Sequence, residues 1–175
     1  QQVWLYNLNG PSYSNTAQFE FGWEIRKRLN VKTAYRYVDT KVNYKSGLLQ
    51  KALVSMHRGF INLSYETKDK HWLFDATLQY NGSKRLPQTQ LNPLEYQRSE
   101  YSPEFYNVLG QITYLTKIKR ADFHVYLGVE NALDYKQSNP IVASDAPYSK
   151  HFDASMVWGP IYGRMMYAGL RFKIK

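Results

Sequence analysis

The chain contains no cysteine among its 175 residues. That excludes disulfides, cysteine-ligated zinc and thiol catalysis together. It also has no run of about 18 consecutive apolar residues, so no transmembrane helix is available. Low-complexity tracts are absent, and the first residues lack the basic segment, apolar core and small-residue cleavage site of a secretion signal. The expectation is that a signal peptide has been removed or that the numbered chain starts inside a longer one. Classical catalytic patterns are missing as well: there is no HExxH, P-loop, dinucleotide glycine fingerprint or serine nucleophile elbow. The four histidines, His57, His71, His124 and His151, are far apart in sequence. Asp145, His151 and Asp153 come nearest to a metal-ligand group, and loop carboxylates of this kind are ordinarily solvated surface. No enzyme, metal or cofactor is expected.

What is abundant is aromatic. Sixteen tyrosines, eight phenylalanines and four tryptophans bring aromatic residues to 16%, while the hydrophobic fraction is only 43%. Mean hydropathy is −0.57. Rings in so polar a chain belong at special levels rather than in a uniform core. The net charge of +9 would raise nucleic acid as a partner. Lysine and arginine are scattered rather than clustered, however, and no nucleic-acid motif accompanies them, so nucleic acid is not expected.

Alternation with period two dominates the chain and marks strands with two unlike faces. Ala17, Phe19, Phe21, Trp23 and Ile25 alternate with Gln18, Glu20, Gly22 and Glu24. Trp72, Phe74, Ala76, Leu78 and Tyr80 alternate with Leu73, Asp75, Thr77 and Gln79. Phe123, Val125, Leu127 and Val129 alternate with His124, Tyr126, Gly128 and Glu130. The last segment sets Met166, Ala168, Leu170, Phe172 and Ile174 against Tyr167, Gly169, Arg171 and Lys173. Weaker alternation covers 29–37, 58–66 and 106–114, and residues 3–7 read as a further strand. Phe60 breaks the polar set of its segment. After Tyr37 the parity reverses, which a β-bulge or an exit from an apolar layer would explain. Helical spacing is not sustained anywhere that alternation is. The fold class expected is all-β, antiparallel and up-and-down, with about eight strands.

The connections are sorted by length. Those near 26–30, 68–70 and 117–121 are short and mostly basic; those at 10–16, 45–57, 82–103 and 132–162 are long. Tight turns on one side and extended loops on the other are the asymmetry of a transmembrane barrel, whose strands need only about 9–11 residues each. Charged side chains cost several kcal/mol against acyl chains, so Arg36, Arg58, Asp75, His124, Glu130 and Arg171 are expected to face the lumen, with Lys32 and Glu66. Ligand contacts, if any, belong to the long loops, where Lys84, Arg85, Arg98, Tyr101, Tyr148, His151 and Trp158 offer stacking and charge-assisted bonds. Two rivals stand beside this reading: a free-standing eight-stranded outer-membrane barrel with a structural or adhesive role, and a soluble β-sandwich acting as a binding module.

The stretch VYLGVENALDYKQSNPI at 125–141, FDASMVWGP at 152–160 and GRMMYAGLRF at 163–172 resemble the C-terminal part of TonB-dependent outer-membrane receptors of the Bacteroidetes type. HRGFINLSY at 57–65 and YNGSKRLP at 80–87 resemble strands and loops of the same family. The resemblance implies that residues 1–175 are the last third or so of a barrel of twenty-two strands, without the plug domain and the TonB-contacting segment. It implies the bacterial outer membrane as location and energy-coupled import of a scarce nutrient (a siderophore, metal complex, cobalamin or oligosaccharide). Its partners would be membrane lipid, the plug and remaining strands, the TonB system through the missing N-terminal part, and a surface lipoprotein if one caps the loops. It further implies a C-terminal insertion signal in which Phe172 is the terminal aromatic, with Tyr167 and Leu170 upstream.

Overall fold

The computed structural model describes residues 7–8, 10–118 and 121–174. It is all-β and antiparallel. Its strands are β1 (Tyr13–Arg26), β2 (Leu29–Tyr44), β3 (Gly47–Gln50), β4 (His57–Glu66), β5 (Trp72–Asn81), β6 (Phe105–Ile118), β7 (Ala121–Glu130) and β8 (Met165–Ile174), and one short 3-10 turn covers Leu94–Tyr96. They form a single sheet in the order β1-β2-β4-β5-β6-β7-β8, with β3 paired to β2 alone. The sheet is open: β1 and β8 are its two edges among the described residues.

The strand count matches the expected eight, but the members differ. The strand expected at residues 3–7 falls mostly outside the described residues. The eighth strand is β3, inside what reads as a long loop at 45–57. There β2 runs on to Tyr44, turns back through Lys45 and Ser46, and pairs Val42 with Leu49 and Asn43 with Leu48. β3 and β4 lie end to end along one edge of β2, interrupted at 51–56, where Leu53 takes a positive φ of 63° and its N–H bonds to the Arg85 carbonyl. The four residues Gly47–Gln50 are too few to announce a strand from sequence, and they do not alternate.

Pair register sorts every strand into the same two faces. Trp23, Val31, Leu63, Ala76, Gly110, Val129 and Met166 lie side by side across the whole sheet. The rows on either side are built alike, with Phe21, Thr33, Ile61, Leu78 and Val108 in one and Leu29, Tyr65, Phe74, Ile112, Leu127 and Ala168 in the other. Arg26, which the register shift places opposite Leu29, stands at the β1 end of the last row; apart from it, no Asp, Glu, Lys or Arg among the described residues lies on this face between these rows and the aromatic residues that bound them. The opposite face carries Arg36, Arg58, Asp75, His124, Glu130 and Arg171, all six in register with one another's side of the sheet.

The parity reversal in β2 has a single explanation. Pairing of β1 with β2 is continuous from Tyr13 and Lys41 to Glu24 and Asn30, and the one register shift lies between Glu24 and Arg26. No bulge sits at Tyr37. Asp39 and Lys41 therefore stay on the face of Tyr35 and Tyr37, and that face turns from aromatic to charged within two residues. The apolar layer ends there.

No second sheet or helix among the described residues covers the apolar face. Phe19 is 72% exposed, Leu127 60%, Trp72 41% and Phe74 38%. The buried core lies instead in the connections, where Leu86, Val142, Ala143 and Met156 pack with Leu53, Tyr96 and Trp158.

Candidate functional site

Two surfaces carry the chemistry: the uncharged face of the sheet and the cap built by the long connections. On the uncharged face, rings gather at two levels. Toward the long connections Tyr35 and Tyr37 pack on His57, with ring centroids 6.2 and 5.4 Å apart, and Tyr80 packs on Tyr106 at 5.4 Å. Toward the short turns Trp72 meets Tyr114 at 4.9 Å and Phe74 at 6.3 Å, Tyr65 meets Phe74 at 6.4 Å, and Phe123 meets Phe172 at 6.2 Å. Between the two bands the inner strands carry aliphatic side chains, glycine and Thr33, while the edge strand β1 adds Phe21 and Trp23. Tyr80 and Trp72 are eight steps apart on β5, about 27 Å along a strand, or about 20 Å of height at the ~40° tilt of barrel strands, against a lipid-facing band of about 25 Å. The polar ends of the upper band point outward: Tyr35 Oη bonds His57 Nδ1 at 2.6 Å, and Tyr80 donates to Glu104 at 2.6 Å.

The charged face is wired locally. Lys32 pairs with Glu20 at 2.7 Å, and Asn62 donates to Thr77 at 2.9 Å. At the β7–β8 edge, Tyr126 lies opposite Gly169 and Tyr167 opposite Gly128. Each ring covers the other strand's glycine so closely that a Cβ on Gly128 would stand 2.2 Å from Tyr167 Cζ. Tyr167 also donates to Gln111 at 2.9 Å. Of the three residues singled out as an insertion signal, Leu170 and Phe172 thus share the apolar face, while Tyr167 sits on the charged one.

The long connections, 82–104 and 131–164, fold onto each other and onto 51–56 as one cap. Ser55 pairs with Lys84, Arg85 with Tyr101, and Val142 with Asp153 in isolated β-bridges. Gln137, 6% exposed, is the central clamp: Nε2 donates to the Met156 carbonyl at 2.7 Å, and Oε1 accepts from the N–H of Trp158 at 2.8 Å and of Gly159 at 3.0 Å. Asn131 turns the chain out of β7 in the left-handed region, φ 49°, with its amide bonded to Tyr135 and Tyr162. Asn tolerates that conformation better than other non-glycine residues. Asp134 accepts from the Arg164 N–H at 2.8 Å and lies 3.6 Å from Lys136, which holds its carboxyl below the ordinary value.

Seven loop residues stand out in the sequence as ligand contacts, and several are committed to this cap. Arg85 is buried, donates through Nε to the Gln50 carbonyl at 2.5 Å and covers the Tyr44 ring at 5.1 Å. Lys84 donates to the Trp158 carbonyl and stands 5.9 Å over Phe105; burial, and then the Arg58 charge, push its pKa down. Trp158 packs against Phe105 at 6.2 Å. His151 bonds Asn92 at 3.1 Å and stacks near Tyr96, whose hydroxyl donates to Asp145 and is pushed up in pKa by that bond. Arg98 has Nη1 on the Gln97 carbonyl, with Nε buried and without a partner. Only Tyr101 and Tyr148 present their rings openly. Asp145, His151 and Asp153 are thus engaged separately, and no three His, Asp or Glu converge for a metal among the described residues.

Gln137, Asn131 and the Val142–Met156 core were not evident from sequence. Asn131 had a signal in its turn-forming side chain just past an alternating run. Gln137 had none, since its three partners lie about twenty residues downstream.

No family model matches the chain, and no curated protein is significantly similar to it.

Proposed function

We propose that this chain is wall and outer-loop structure of a bacterial outer-membrane β-barrel, the C-terminal part of a TonB-dependent receptor that imports a scarce nutrient. The observation that carries the reading is the uncharged face, unbroken across seven strands and bounded above and below by rings. Burial of that face needs hydrocarbon, since nothing in the described chain covers it, and girdles of Tyr and Trp at two levels are what a bilayer's two interfaces select. The reversal of β2 at Tyr37 puts the boundary at the level that Tyr35, His57, Tyr80 and Tyr106 mark independently. Short turns then lie on the periplasmic side and the folded cap on the outer side. Recognition falls to the cap and the charged face, energy coupling to the parts of the receptor outside this chain.

Of the rivals, the soluble sandwich requires a second layer over Phe19, Trp72, Phe74 and Leu127. The free-standing barrel requires β1 and β8 to join. They run in the same direction, as the first and seventh positions of an antiparallel path must, so an antiparallel closure needs at least one more strand between them.

Fractionation tests the reading. The native protein is expected in outer membranes after carbonate washing, as a heat-modifiable species several times larger than 20.6 kDa. A heat-modifiable species near that mass favours the small barrel. A monodisperse protein in detergent-free buffer removes both barrels.

A further inference from the structure

On the charged face, just below the cap, β2 and β4 place Arg36 directly opposite Arg58. Like charges at directly opposed positions repel, and a sheet ordinarily avoids them. Here the pair is extended rather than neutralised: Gln18 flanks it on β1 and Asn81 on β5, with Gln79 two residues along. Among the described residues none of these five side chains makes a hydrogen bond or an ion pair with another protein group. The closest acidic residue in register, Glu20, is taken by Lys32. Asn81 is only 6% exposed as a residue, and its amide, without a protein partner, keeps its opening to solvent through the depression.

Arg36, Arg58, Gln18, Gln79 and Asn81 line a depression of about 240 Å³ whose floor is Ala34 and Phe60. That is well above the roughly 10–15 Å³ of accessible space that one water needs, and enough for one small anion with part of its shell. Phe60, the residue that interrupts the polar alternation of its strand, thereby has a role: an apolar floor beneath two guanidinium groups lowers the local dielectric and strengthens whatever they bind. Guanidinium forks suit the two or more oxygens of a carboxylate or phosphate, and amide N–H groups complete such a shell.

We propose that Arg36 and Arg58, with the amides of Gln18, Gln79 and Asn81, form a binding site for a small solute carrying an oxyanion, a phosphate or a carboxylate. The site deepens the importer reading, and rests on it, in that it gives the cargo an anionic group and places its contact on the wall rather than on the loop tips.

The test uses the native, full-length protein that carries this chain, purified from membranes in detergent, with inorganic phosphate and succinate as probes. Thermal midpoints are compared with chloride at matched ionic strength. Wild type is expected to gain stability with one or both oxyanions over chloride; the probe that works tells phosphate from carboxylate. Arg36→Gln and Arg58→Gln each remove charge-assisted bonds and are expected to weaken the apparent affinity by about tenfold or more. Neither variant should be less stable without anion, because each relieves the repulsion. Lys32→Gln, which breaks only the Glu20 pair, should keep the response. The proposal is overturned if wild type responds to neither oxyanion beyond chloride, if both arginine variants keep the wild-type affinity, or if Lys32→Gln loses as much as they do. Membrane fractionation of the same variants separates the two conclusions: a failed anion response in a protein that still sediments with outer membranes sinks only this site, while a soluble protein that binds phosphate sinks only the importer.

Discussion

Replacing Ile61 by arginine measures what the uncharged face touches. Ile61 lies on β4 with Thr33 and Leu78 beside it, four residues from His57 in one direction and four from Tyr65 in the other. It is 49% exposed, so no packed protein core is disturbed by the change. Four steps amount to about 13 Å along the strand to either ring band, farther than an arginine reaches, so the guanidinium has no interface to snorkel to. In hydrocarbon an arginine at mid-depth of a barrel wall costs about 2–4 kcal/mol. In water the same substitution at a half-exposed strand position falls within about 0.5 kcal/mol of neutral. Ser64→Arg is the control: three residues along the same strand but on the charged face, opposite Asp75 and Asn30. Both variants would be folded into lipid vesicles and titrated with denaturant at constant m-value. The expectation is a loss of about 2–4 kcal/mol for I61R and little for S64R. Equal effects, or an I61R chain that folds as well in buffer as in vesicles, would refute the assignment of this face to lipid.

Three further outcomes follow from the geometry. Gly128→Ala puts a Cβ into the Tyr167 ring and displaces its bond to Gln111; a loss of about 1–3 kcal/mol is expected from overpacking, read by denaturant midpoint, and it should shrink in a Tyr167→Ala background. Gln137→Ala leaves the Trp158 and Gly159 N–H groups and the Met156 carbonyl without their partner; local opening of 131–164 should become easier by about 2–4 kcal/mol, seen as faster proteolysis there with the strands still protected. Asp134 has its pKa lowered below the ordinary 3.8 by the Arg164 N–H and Lys136, so its contribution is complete above that value and drains as pH falls below it; hydrogen exchange at Arg164 should quicken under acid in wild type, and Asp134→Asn should abolish that pH dependence.

The two faces of the sheet were legible in sequence because period two is a local property: Trp72, Phe74, Ala76, Leu78 and Tyr80 declare their side without reference to any neighbour. Register was not legible, yet it is what turns seven separate stripes into one continuous surface. β2 shows the same division. Its parity reversal after Tyr37 is visible in the string of residues, but choosing between a bulge and the edge of a layer needs the partner strand, and unbroken pairing through Lys41 supplies it. The cap was the least readable part. Lys84, Arg85 and Trp158 carry the side chains of ligand contacts, and the fold spends them on the Trp158 carbonyl, the Gln50 carbonyl and the Phe105 ring. The Arg36–Arg58 depression escaped for a related reason. Each arginine alone is an ordinary charge on a polar face, and only cross-strand pairing makes them a site.

The edges of the sheet bear on how the wall is completed. β1 and β8 present 14 and 10 residues of backbone with one side unpaired among the described residues. Long exposed edges invite pairing with whatever chain is near, and closed barrels remove them. The path β1-β2-β4-β5-β6-β7-β8 has seven positions, because β3 only extends the line of β4. Seven is odd, so the two edges run parallel, and any all-antiparallel ring must insert an odd number of further strands between β8 and β1. One such strand makes an eight-stranded barrel, and fifteen make a ring of twenty-two. On the proposed barrel reading, the charged face favours the wider ring for a physical reason. An eight-stranded barrel has a lumen filled by its own side chains, and its inward face must interdigitate. Here Arg36 and Arg58 stand side by side on that face without counterions, and an interior packed at that density would have to bury both. A wide, wet lumen lets them stay charged.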